Sequence, residues 1–182
     1  KEAYFQYAGD ELDVQMGVNQ VFWGVTESRH LVNIVNQVDT QADIDEEAFL
    51  GQLMLQLTKS TDYGELSALL MTGFRERELS NTKSRLRSNA TVVDDAVFER
   101  SAKHLAPDVA LRYSHFIGDF DIGVHLFHGT NREPGVRMMD DALVPYYGTI
   151  NQFGVDLQYT DEALLLKFEG LLRQGQGETF TA

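Results

Sequence analysis

The chain of 182 residues has no cysteine, three prolines and one tryptophan. Without cysteine there is no disulfide framework, no thiolate metal site and no cysteine nucleophile. Long apolar runs are missing too. Nothing approaches the roughly 18 consecutive apolar residues a membrane helix needs, and mean hydropathy is -0.26. This excludes a helical membrane protein but not a transmembrane β-barrel, whose strands are apolar only at alternate positions. Basic residues are scarce, 15 against 28 acidic, for a net charge of -13. Such a field repels phosphate backbones, so no nucleic-acid partner is expected. No Gly-x-Ser-x-Gly, phosphate loop or dinucleotide fingerprint occurs, so neither an enzyme nor a cofactor is expected.

What is present is alternation. Leu12, Val14, Met16 and Val18 share one face of an extended run, with Asp13, Gln15 and Asn19 on the other. The same period of two recurs at Leu53–Leu57, Leu66–Phe74, Val109–Tyr113, Phe120–Leu126, Phe153–Tyr159 and Leu164–Phe168. With a weaker run at 3–8, this predicts about eight strands. Turn-forming residues mark Gly9-Asp10, Ser60 to Gly64, Gly118-Asp119 and Thr160 to Glu162. Between those short turns lie three long segments, roughly 25–49, 75–107 and 129–148. Two of them carry helix-like periodicity: Thr26 to Val38, with Leu31, Ile34, Val35 and Val38 on one face and Thr26 as N-cap, and Asp94 to Leu105. Short turns alternating with long loops predict an all-β, antiparallel, up-and-down transmembrane barrel. Residues 1–182 read as a single unit of it. The opening Lys1 to Phe5 has no signal-peptide layout and Glu178 to Ala182 resembles a strand just begun, so the unit is expected to be a fragment of a longer barrel.

Aromatics flank the short turns (Tyr7, Tyr63, Phe116, Phe120, Tyr159) and the entries to the long loops (Phe22, Trp23, Phe74, Phe127, Tyr146, Tyr147), which predicts two interfacial girdles. The polar face predicts a hydrated lining of Asp13, Gln15, Asn19, Gln56, Arg112, Ser114, Asp121, His125, Gln152, Asp156, Gln158, Lys167 and Glu169. Arg75, Arg77, Lys83, Arg85 and Arg87 form the one basic cluster, suited to anionic solutes at a constriction, to lipopolysaccharide phosphates, or to plain solvation beside Glu76 and Glu78. The acidic run Asp39, Asp43, Asp45, Glu46 and Glu47 lacks the spacing of a calcium loop. His125 and His128 stand an odd number of residues apart, which sends them to opposite faces of a strand and leaves no expected metal site.

The ordered series Gly17 to Ser28, with Trp23, Gly24 and Glu27, then Asn33, Asn36 and Asp39, then Leu50 to Leu57 and Phe74 to Arg77, resembles a group of porin-like Gram-negative outer-membrane barrels. Their strands end in a Trp-Gly-x-x-Glu-like motif before an Asn- and Asp-containing loop. The second half is similar only in style, at Arg112 to His115 and Gly118 to Asp121. The resemblance implies a bacterial outer-membrane barrel, a channel or transporter with a role in the passage of solutes; the polar lining and the basic cluster add the expectation of small polar or anionic solutes and of contact with outer-membrane lipid and lipopolysaccharide. Two other readings stay open: a soluble all-β binding module, and an outer-membrane hydrolase built on Ser114 and His125.

Overall fold

The computed structural model describes residues 1–27, 30–40, 42, 48–77, 95–139 and 142–176. It is all-β. Eight strands form one antiparallel sheet: β1 (Ala3–Ala8), β2 (Leu12–Asn19), β3 (Gln52–Thr61), β4 (Gly64–Thr72), β6 (Asp108–Ile117), β7 (Phe120–Thr130), β10 (Thr149–Asp161) and β11 (Leu164–Gln174), in that spatial order. Every neighbour in space is thus the next long strand in sequence, an up-and-down meander. A second, small sheet belongs to the long segments. In it β9 (Ala142–Tyr147) pairs with both β8 (Gly135–Met139) and β5 (Val97–Phe98).

The four short turns fall where the turn residues predict. Gly118 adopts a φ of 59°, the left-handed region that L side chains avoid, between β6 and β7. Thr61 closes the β3–β4 turn by donating its hydroxyl to the Gly64 carbonyl at 2.8 Å. At the other end of β4, Gly73 (φ 68°) breaks the alternation. Phe74, read as the next residue of the same face, is turned inward and buried.

Helices are almost absent among the described residues. A single 3-10 turn, Lys103–Leu105, stands where a helix from Asp94 was expected, and Asp94 lies outside the described residues. The described part of Thr26 to Val38 is irregular. Its amides at Thr26 and Val32 go to a distant carboxylate instead of to a helical ladder.

The sheet is open and curled. Among the described residues β1 and β11 are its unpaired edges, so no closed barrel is formed. Register places Glu169 of β11 level with Asp156, Gly123, Ser114, Glu65 and Ser60, and Ser60 lies eight residues along β3 from Gln52, the partner of Asn19. On a flat sheet Asn19 and Glu169 would be about 39 Å apart, from strand spacing and rise. Val25, six residues beyond Asn19, reaches at most about 21 Å. Yet its amide bonds Glu169 at 2.7 Å. Only a sheet rolled towards its polar face brings the two together.

The two faces differ: the outward one is apolar, and the inward one carries buried polar side chains beside an apolar zone. Following hydrogen-bond partners straight across, Tyr7, Val14, Leu57, Ala68, Leu111, Leu126, Phe153 and Leu172 form one outward row, apolar on all eight strands. Phe5 is 88% exposed, Leu172 73% and Met16 64%, while Gln152, Asp156 and His125 on the other face are 1–2% exposed.

Candidate functional site

The inward face divides into two zones. Towards the long loops it is apolar, and Trp23, Val32, Ile34 and Val35 from the segment after β2 pack onto Met54, Leu69, Met71, Ala110, Phe127 and Ile150. Towards the short turns it is polar and half-open.

All the residues read as a polar lining fall on this inward face. Asn19, His125, Gln152, Asp156 and Glu169 are buried. Asp13, Gln15, Gln56, Arg112, Ser114, Asp121, Gln158 and Lys167 are half-buried. Arg112 donates both terminal nitrogens to Asp156, at 2.7 and 2.8 Å, a bidentate pair reaching across β7. It passes over Gly123, where a Cβ would collide with both side chains. Gly154 leaves room for the His125 ring in the same way, and Gly129 for Asp108. Curling crowds inward side chains, so large polar groups alternate with glycine. The guanidinium of Arg112 also lies 5.5 Å from the centre of the Trp23 ring, and Trp23 packs 4.9 Å from His125.

Glu169 gathers the loop. One carboxylate oxygen accepts the Val25 amide (2.7 Å), the Thr26 amide (2.9 Å) and the Thr26 hydroxyl (2.8 Å), and the other accepts the Val32 amide (3.2 Å). Two residues earlier on β11, Lys167 pairs with Glu27 at 2.8 Å. The hydrogen bond and charge of Lys167 hold the Glu27 carboxyl below its usual range. The three motif positions thus have distinct places. Trp23 is core, Glu27 is an exposed ion-pair partner, and Gly24 is squeezed, since a Cβ there would sit 2.7 Å from His30 Nδ1. Asn36 clips the loop's base: its amide donates to the Asn19 (3.0 Å) and Leu50 (2.9 Å) carbonyls, and its oxygen accepts the Val21 amide (2.8 Å).

A second buried cluster went unread in the sequence. Arg132 is fully enclosed; it donates to Asp108 at 2.6 Å and to the Val35 carbonyl at 2.9 and 3.1 Å. Its guanidinium lies 5.2 Å from the rings of both Phe74 and Phe127. Burial pulls its pKa down while Asp108 opposes the shift. Arg100 approaches Asp108 from the other side. Neither Asp108 nor Arg132 stands inside an alternating run with a flag of its own, so only pairing reveals them.

Of the aromatics beside the short turns, Tyr7, Tyr63, Phe116 and Phe120 are exposed, but Phe116 lies on the inward face with Asp121 as its cross-strand partner, and Tyr159 is half-buried. At the long-loop end Phe22 is exposed, but Trp23, Phe74, Phe127 and Tyr147 are buried as the core beneath the loops, so the second girdle is not formed by them. Tyr147 stacks on Phe98 at 5.2 Å, and burial pushes its hydroxyl up to about 12.

Of the basic cluster, Arg75 and Arg77 lie at the long-loop end, where the Arg77 amide donates to the Tyr147 hydroxyl at 2.9 Å. Lys83, Arg85 and Arg87 lie outside the described residues, as do Asp43, Asp45, Glu46 and Glu47 of the acidic run. His125 and His128 are on opposite faces, bonded to Gln152 (3.0 Å) and Asn151 (2.8 Å) respectively. Among the described residues no group of three or more acidic or histidine side chains is placed to hold a metal ion. Ser114 pairs across the sheet with Gly123, and His125 with Arg112. His125 Nδ1 is buried without a partner, so nothing aligns a serine–histidine couple.

Comparison with known proteins gave no match to a family model, a curated protein or a solved structure.

Proposed function

We propose that the chain is part of an outer-membrane β-barrel that passes small polar or anionic solutes, with lipid and lipopolysaccharide against its outer face. Strand length supports the reading. β3, β4, β6, β7 and β11 have 9 to 11 residues, the span of a tilted membrane strand and roughly twice a typical soluble one. The contrast between the faces supports it further, since buried polar groups lie on the covered side and apolar ones on the open side.

The observation that carries it is a stagger. Measured from the apolar row through Tyr7 and Leu172, the last paired residues before the four short turns lie one (Ala8), four (Thr61), six (Ile117) and eight (Asp161) residues further on. The turns descend by about one residue per strand. If all four lie in one plane, rise and spacing give a strand tilt of about 40° to its normal, within the 35–45° of transmembrane barrels. The apolar band slides with the turns. On β3 it ends at Lys59, two residues past the row, whereas on β10 it begins at the row and runs to Tyr159. An apolar belt level with the turns is what a membrane requires, and a soluble sheet has no need of it.

The test is extraction and reconstitution. The protein should need detergent to stay monodisperse and should give ion conductance in planar bilayers. With Arg75, Arg77, Lys83, Arg85 and Arg87 intact, the reversal potential in a salt gradient should favour anions, and glutamine at these positions should shift it towards cations. A monodisperse protein in plain buffer would favour the soluble binding module instead.

A further inference from the structure

We infer that Glu169 is a positioning residue that seats the chain after β2 across the polar face, and thereby sets how far that face is open to solute. The consequence for solute rests on the channel reading; the seating itself does not.

The segment is held in two different ways. Its base is fixed by Asn36 on Asn19, Val21 and Leu50, by apolar packing of Ile34 and Val35, and by the Arg132 guanidinium on the Val35 carbonyl, none of which involves Glu169. Val25, Thr26 and Val32 are held from the far side of the sheet, by one carboxylate. Four donors converging on a single anion form a charge-assisted cluster, stronger than four neutral bonds to separate partners. Glu169 is also buried, so Glu169→Gln removes the charge and turns one of its two acceptor oxygens into a donor nitrogen that cannot accept from the amide or amides facing it. Trp23 lies two residues before Val25, and its seat over Arg112 and His125 follows from where Val25 is held. Beside them, Ser67 is the cross-strand partner of Arg112 and is only 7% exposed. Gln158, nearer the short turns, is half-exposed.

A chain without cysteine allows a direct test. Single variants Ser67→Cys and Gln158→Cys are placed in the full protein in detergent or lipid, with and without Glu169→Gln, and labelled with a small polar thiol reagent. Seating by Glu169 predicts slow labelling at position 67 that rises about tenfold in Glu169→Gln, the scale of one lost charge-assisted bond. Labelling at 158 should not change. Amide exchange at Val25, Thr26 and Val32 should accelerate, while the Val21 amide, held by Asn36, should keep its protection. Equal rates at position 67 in both backgrounds would overturn the inference, and so would acceleration at 158 and Val21 together with the rest. Thr26→Val, which removes one of the four donors and keeps the charge, stands in if Glu169→Gln does not fold, with an increase of about threefold at position 67 expected and no change overturning the inference. A labelling shift in a protein that conducts no ions would keep the seating and reject the channel.

Discussion

Val124→Arg separates a membrane-facing sheet from a water-facing one by magnitude alone. Val124 lies on β7 with Tyr113 and Val155 as its partners to either side. Its outward neighbours along the strand are Phe120, Ile122 and Leu126, so it stands near the middle of the apolar belt. An arginine at that depth costs about 2 to 4 kcal/mol, falling to about 0 to 1 near the interface. His128, four residues on and on the same face, supplies the comparison. Tilted by about 40°, those four residues rise about 10 Å towards the interface, and the row is polar there, with His128, Asn151 and Gln174 side by side. His128→Arg should therefore cost less than about 1 kcal/mol. On a water-facing sheet both changes would be surface substitutions within about 0.5 kcal/mol of neutral. The assay is reversible guanidinium unfolding in lipid vesicles, followed by β-sheet circular dichroism. Equal small costs at positions 124 and 128 would refute the belt.

Three further outcomes are expected. Gly24→Ala should destabilise by about 1 to 3 kcal/mol, because the new methyl meets His30, and Gly24→Ala with His30→Ala should recover most of that in a double-mutant cycle. Asp108→Asn should cost about 3 to 5 kcal/mol in the same unfolding assay, since it strands the buried Arg132 guanidinium, and adding Arg132→Met should restore part of the loss. The Glu27 carboxyl, depressed by Lys167, should titrate by nuclear magnetic resonance below its value in Lys167→Met; its tether is fully present above the ordinary glutamate range and is lost as pH falls through the depressed value.

The long strands and short turns were legible because their causes are local. A period of two sets the face of the residues within each long strand, from Leu12–Asn19 to Leu164–Gln174, and Gly118 or Gly64 marks a turn within a few positions. The loops were not, because their partners are remote. Leu31, Ile34, Val35 and Val38 read as one helical face, but Leu31 is exposed and Val32 fully buried. What shapes that stretch is an acceptor on β11, more than 130 residues away in sequence. The same remoteness explains Trp23, Phe74, Phe127 and Tyr147, whose position at strand ends suggests a girdle and whose burial depends on loops folding back over them. Asp108 and Arg132 sit at the margin of a strand and in a turn, where no period speaks for them. The polar face could be written down residue by residue, yet the stagger of the turns needs the register across all eight strands.

Trp23 has an optical consequence. It is the chain's one indole, lodged between the guanidinium of Arg112 and the imidazole of His125, in the very segment that Glu169 seats. Excited at wavelengths its seven tyrosines do not absorb, the chain therefore emits from a single reporter at the meeting point of loop and wall. Its emission maximum and lifetime follow the seating of that loop without any added label, and a polar quencher entering from the short-turn side reads how deep water penetrates the curled face.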